Sequence, residues 1–244
     1  MLNDFLIDSI VKENDVLNKD KTINRLLSNI EIAYNTLKEK NPDKPSAKWR
    51  DNEDVIPFSQ GNHKLPPSTY IVNLGCSNLC PGRALGTCKQ CGICYAYKAE
   101  RQYKEGTILY RLLQTLRWRK LNAEDIANQL LTVSENAKVN KMQYLRLNES
   151  GDVFKQDDIK KMSKIADILA ENDIGTYTYT SRYDMDWSKK SDNLIVNGSG
   201  FMVDNQFQVC KKHNDEMTYK CHGDCDTCDY CKNSQGVIIY VEEH

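Results

Sequence analysis

The chain has 244 residues, with 33 lysines and arginines against 34 aspartates and glutamates and a formal net charge of −1. At 40% hydrophobic and 27% charged residues it has the composition of a folded globular protein, long enough to bury a core without cross-links. The balanced charge argues against non-specific wrapping of nucleic acid, and no apolar run approaches the ~18 residues that a membrane-spanning helix needs.

Residues 1–45 are expected to form a helical appendage. Leu2, Phe5, Leu6 and Ile10 make one apolar stripe, and Ile23, Leu26, Leu27, Ile30, Ala33 and Tyr34 make another. The expected role is a cap over the bottom or edge of the main domain. Acids stand in the first residues where a secretory signal would be basic and apolar, so a reducing cytosol is the expected location. Residues 46–68 read as a connector, within a stretch from 41 to 68 that holds five of the six prolines.

Residues 69–244 read as one α/β domain. Short apolar or alternating runs at 69–74, 142–147, 176–181, 194–196 and 237–241 predict strands. Between them, Leu109, Leu112, Leu113 and Leu116 share a helical face, and Asn122 is placed to cap a helix over 123–136. Ile159, Met162, Ile165, Ile168 and Leu169 mark another helix, over 156–171. Strands alternating with helices predict a mostly parallel sheet, either an incomplete (β/α) barrel or an open sheet. The basic stretch from Arg111 to Lys120 reads as the charged outer face of its helix, and Tyr177 and Tyr179 as core or barrel lining.

Ten cysteines are the most informative feature. In a reducing compartment they point to metal rather than disulfides. They form two sets of five: Cys76, Cys80, Cys88, Cys91 and Cys94, then Cys210, Cys221, Cys225, Cys228 and Cys231. Each set contains three cysteines separated by two residues, 88–94 and 225–231. That spacing lets a turning loop present three thiolates to one [4Fe–4S] cube, with a fourth ligand from elsewhere. The expected ligands are Cys88, Cys91 and Cys94 with Cys80, and Cys225, Cys228 and Cys231 with Cys221. Zinc is the alternative cofactor, and Cys76, Cys80, Cys88 and Cys91 would suit it. His213, His222 and His244 are further candidate ligands, while His63 reads as loop.

Position adds to spacing. Ligands of parallel α/β sheets gather at the carboxyl ends of the strands. The first cysteine set follows the strand 69–74. Arg146, Asn148, Glu149, Ser150, Gly151 and Asp152 fall at or after the end of the second strand, Ser181 and Arg182 after the third, and Asn197 to Gly200 after the fourth. Singly, the NESGD and NGSG stretches are ordinary turns; together at one end of a sheet they suggest a site. Phosphate-binding glycine loops, nucleophile elbows and HExxH zinc motifs are absent, which disfavours nucleotide hydrolysis and serine or zinc hydrolase chemistry.

From Gly61 onward the chain resembles the phage "gene product 88" family. The matching pieces are GNHK (61–64), CPG…C…CYA (80–96), SGD (150–152), YTYTSR (177–182) and a terminal C…C…VIIYVEEH. The resemblance implies a phage or prophage protein of a bacterial host and favours Cys80, Cys88 and Cys94 as ligands. A more distant similarity is to radical S-adenosylmethionine enzymes, whose cysteine loop also follows the first strand of a partial barrel. It implies a [4Fe–4S] cluster with one iron open to the cofactor. Glu149, Ser150, Gly151 and Asp152 would then stand in for the turn that holds the cofactor's amino group, and Arg182 and Asn197 would help shape the pocket. The three-then-two residue spacing of those enzymes is missing from the first set and occurs at Cys221, Cys225 and Cys228. The expected functions are therefore radical chemistry, electron transfer or oxidant sensing with a redox partner, or a zinc-stapled structural or nucleic-acid module.

Overall fold

The computed structural model describes residues 18–89, 92, 94–210 and 219–242. The stripe over Leu2–Ile10, together with Cys91, His213 and His244, lies outside them. Helix α1 (Lys19–Lys40) opens the described chain. The Asn18 side chain accepts from Lys21 N at 3.1 Å, Asp20 sits in the first turn, and Lys38 and Lys40 sit in the last, all favourable to the helix dipole. Ile23, Leu26, Ile30, Ala33, Tyr34 and Leu37 are its buried face.

The remaining helices are α2 (Ala47–Arg50), α3 (Pro81–Ala84), α4 (Tyr95–Lys120), α5 (Ala123–Asn136), α6 (Gln156–Ala170) and α7 (Tyr230–Asn233). The strands are β1 (Ser59–Gln60), β2 (Thr69–Leu74), β3 (Tyr144–Gly151), β4 (Gly175–Thr180), β5 (Leu194–Ser199), β6 (Asn205–Cys210), β7 (Tyr219–Lys220) and β8 (Ile238–Glu242). They form one open sheet in the order β1-β2-β3-β4-β5-β6-β8-β7, not a barrel. β1 runs antiparallel to β2, and all other pairs are parallel. The stretch read as a connector thus supplies an edge strand, fastened by Phe58 stacked on Tyr70 at 4.8 Å and Trp49 edge-on to Phe58.

Two faces of the sheet differ in character. Val72, Leu74, Leu145, Leu147, Leu194 and Val196 belong to one continuous core with residues of α1, α4, α5 and α6. α1 is therefore part of the core. Asn122 caps α5 by accepting from Asp125 N at 2.7 Å. Asp158 fixes the start of α6, accepting from Phe154 N and Lys155 N at 2.9 Å and from the indole of Trp118 at 2.9 Å. On the opposite face, the alternation and register of β3 to β6 align Tyr144, Arg146, Tyr177, Tyr179, Asn197, Asn205 and Phe207. Their rings touch in series, Tyr144–Tyr177 and Tyr177–Tyr179 at 6.3 Å and Tyr179–Phe207 at 5.2 Å.

One expectation is corrected. Arg111 and Arg117 are not on a charged outer face, being 5% and 7% exposed. α4 is interrupted at Lys104 (φ 55°), and Arg111 pairs with the buried Glu100 at 2.6 Å. Among the described residues no helix is long and apolar enough to cross a membrane.

Candidate metal centre

The first cysteine set begins where β2 ends. Gly75, at φ 102°, turns the chain, and Cys76 leads into a short 3-10 turn over Ser77–Leu79. Beneath that turn Glu100 accepts from Ser77 N at 2.9 Å, so the buried Glu100–Arg111 pair holds the loop base. Gly82 lets the loop lie against the end of β4: a Cβ there would overlap Ser181 Oγ, and Cys88 N donates to Gly82 O at 3.0 Å. Cys76 is buried, whereas Cys80, Cys88 and Cys94 are half-buried. Burial pushes the Cys76 thiol up to about 12, helped by the nearby Glu100 charge. Burial also raises Cys80, with smaller contributions from Asp152 and Cys88.

The end of β3 is irregular. Register slips between Val72 and Leu74, and Asn73 Oδ1 fills the gap by accepting from Ser150 N at 2.6 Å. Gly151, at φ 77°, is required, because any Cβ would overlap the Leu74 carbonyl. Asn148 adopts φ 57° and is buried with neither amide atom paired. The Asp152 carboxylate accepts from Val153 N, Thr180 Oγ1, Ser181 N and Ser181 Oγ at 2.7–3.0 Å, pinning the end of β3 to that of β4. Burial raises its pKa against those hydrogen bonds. Arg182 is likewise engaged, with Asp184 at 2.7 Å and the Val153 carbonyl at 2.6 Å. Glu149 accepts from Asn62 through its side chain and from the Tyr95 hydroxyl through its carbonyl. Ser150 Oγ stands 3.5 Å from Glu100.

The second set lies across the aromatic face. Cys210 ends β6, Cys221 follows β7, and the chain then returns over the sheet to start β8. Tyr219 and Tyr230 stack at 3.7 Å to close the loop base, and Tyr219 Oη is 3.4 Å from Cys228 Sγ. Asn197 Nδ2 donates to the Cys231 carbonyl at 2.8 Å and Asn205 Nδ2 to the Ser234 carbonyl at 2.7 Å. Lys232 lies over the Tyr144 ring and donates to the Cys225 carbonyl at 3.0 Å. Asn197, foreseen near the turn at 149–152, thus serves the second cysteine loop. Burial lifts Cys231 to about 12, partly offset by a hydrogen bond from Tyr179, while Cys221, Cys225 and Cys228 raise it further. Cys225 is raised by burial and by Cys221 and Cys228. These cysteines follow one another in the loop that Asn197 and Asn205 tie to the sheet.

None of the described cysteines is in a disulfide. Among the described residues no three histidine, cysteine or carboxylate side chains already stand at metal-holding distances. The donor set nonetheless fits a thiophilic metal: half-buried thiols, grouped by loop, each able to reorient about a single bond. Sequence reasoning did not single out Glu100, Asn73 or Asn205, and it read Arg111 as part of a charged outer face. Buried polar residues inside helices and strands carry no local signal, and a pairing such as Glu100 with Arg111 is visible only in three dimensions.

No curated protein and no solved structure matches the chain. A family model described as gene product 88 matches residues 26–221. The match begins inside α1, which the motif resemblance had left out, and it ends at Cys221, before Cys225, Cys228 and Cys231. It spans most of the 244 residues, and the chain belongs to the gene product 88 family of phage proteins.

Proposed function

We propose that this protein carries two cysteine-ligated [4Fe–4S] sites and has a redox role. The observation that supports the reading is that the cysteines fall on two loops. Cys221, Cys225, Cys228 and Cys231 share one loop pinned to the aromatic face, and Cys76, Cys80, Cys88 and Cys94 belong to a second loop at the end of β2. The proposed ligands are Cys88, Cys91 and Cys94 with Cys80 in the first site. In the second they are Cys225, Cys228 and Cys231 with Cys221. Cys76 and Cys210 stand as alternates. Runs of three cysteines two residues apart favour a cube over tetrahedral zinc, which takes four ligands from separate knuckles.

Such a cluster supplies one-electron chemistry when bound. The chain's own residues leave most of the thiols half-buried, with the Tyr219 hydroxyl beside Cys228 in the second loop. Limited solvent and nearby hydrogen bonds would set the potential. A role with S-adenosylmethionine would need an open iron in the first site. Glu149, Asp152, Arg182 and Asn197, the side chains foreseen to shape that pocket, spend hydrogen bonds inside the fold. The redox reading therefore comes first.

Anaerobic purification from iron-replete cells, followed by iron, labile sulfide and zinc analysis, tests the proposal. The expected result is about four irons and four sulfides per site. Stoichiometric zinc without labile sulfide would contradict it. Adding S-adenosylmethionine to the reduced protein should leave the cluster EPR spectrum unchanged, and cofactor cleavage would instead establish radical chemistry.

A further inference from the structure

A groove of about 480 Å³ opens past the carboxyl ends of β4 and β5, between the stretch that follows β4 and the turn from β5 to β6. Met185, Trp187, Phe201 and Val203 line it and pack against the core. Tyr183 and Met202 line it as well and are 58% and 45% exposed, with the Tyr183 ring edge-on to Phe201 at 6.2 Å. The polar side chains Ser188, Lys190 and Asp204 are already partnered. Lys190 pairs with Asp204 at 2.9 Å, Asp204 accepts from Val196 N, and Ser188 donates to Asp186. What the groove offers is apolar surface, suited to aliphatic and aromatic side chains rather than to a polar small molecule.

The described chain starts beside this groove. Lys19, in the first turn of α1, reaches Asp184 at 3.3 Å. Arg182 holds the same Asp184 at 2.7 Å and donates to Met185 Sδ at 3.0 Å. Lys155 ties this end of α1 a second time, through Asn24 at 2.9 Å. Residues 1–17 lead into Asn18 at this point, and the sequence puts Leu2, Phe5, Leu6 and Ile10 on one apolar stripe interleaved with Asn3, Asp4, Asp8 and Ser9. Ile10 is eight residues before Asn18, a reach of about 12 Å as helix and about 28 Å fully extended. We propose that this stripe folds back into the groove, with Leu2, Phe5, Leu6 and Ile10 covering Tyr183, Met185, Phe201 and Met202 of the same chain. The tether decides for this segment over a second molecule, because an occupant joined by so short a connection competes at a millimolar effective concentration.

The test places p-benzoylphenylalanine at position 5 of the full-length protein in place of Phe5. The protein is irradiated at micromolar concentration, and its cross-links are mapped by peptide mass spectrometry. The benzophenone should join Met185, Phe201 or Met202 of its own chain, in product that runs as a monomer. Met202→Asp, at an exposed position, should cut that yield by about tenfold or more while leaving the circular dichroism spectrum unchanged, because the docked segment would bury the new charge. Leu6→Asp should do the same from the segment's side. Val139→Asp, on an exposed residue between α5 and β3, should leave the yield unchanged. Cross-links from one chain to the groove of another would assign the surface to a second copy and overturn the proposal. Cross-links elsewhere in the chain, or none, would overturn it too, as would a yield that neither M202D nor L6D lowers or that V139D lowers equally.

Discussion

Glu100 lies under the first cysteine loop with its carboxylate between Ser77 and Arg111. Replacing it by Gln leaves Arg111, itself 5% exposed, without its charge partner. Breaking one side of such a buried pair costs about 3–5 kcal/mol, so E100Q should lower the urea midpoint sharply. Changing Asp157 to Asn at the exposed Lys160 pair should move it little. Asp184 supplies a pH signature. Burial pushes its carboxyl up, but hydrogen bonds and charge from Arg182, with Lys19, outweigh that and hold it below the usual range. A depressed carboxyl stabilises the fold above the unfolded value of about 3.9 and loses that contribution as pH falls through the folded one. Unfolding measured from pH 7 down to pH 2 should show this acid loss reduced in Asp184→Asn; an identical profile would contradict it. At this scale the sequence was partly legible. Gly151 and Asp152 stood out as a turn, but that Asp152 holds four hydrogen bonds depends on β4 lying beside β3, which no local pattern encodes.

The long periodic elements were the readable ones. Helix α6, strand β2 and the Asn122 cap of α5 follow from apolar spacing and capping chemistry. β1, β6 and β7 were missed. β1 and β7 are two residues long, and NQFQVC in β6 alternates weakly because both its faces are only partly buried. Helix α1 was readable as amphipathic, but its partner was not. Leu26 is fully buried in the same cluster as the sheet. Leu26→Ala should therefore cost about 2–5 kcal/mol in one cooperative transition of the whole protein. An early, separate loss of helix signal by circular dichroism, with the remainder unmoved, would show a detachable appendage instead.

For the whole molecule, the open sheet carries two cysteine-bearing loops that are far apart in sequence. β2 ends in the first set at the carboxyl edge. The chain after β7 carries the second set across the face that α4, α5 and α6 leave uncovered. The class of fold and the two-set grouping could be read from spacing. That Asn197 and Asn205 tie the second loop to the sheet could not, because it depends on the path of the returning chain. The central claim is that two independent thiolate sites are present. The most direct measurement is the iron and labile sulfide content of anaerobically purified C225S/C228S/C231S protein beside the wild type. Two sites predict loss of about half of both, with the remaining cluster signal intact. Loss of all iron, or none, would contradict the account.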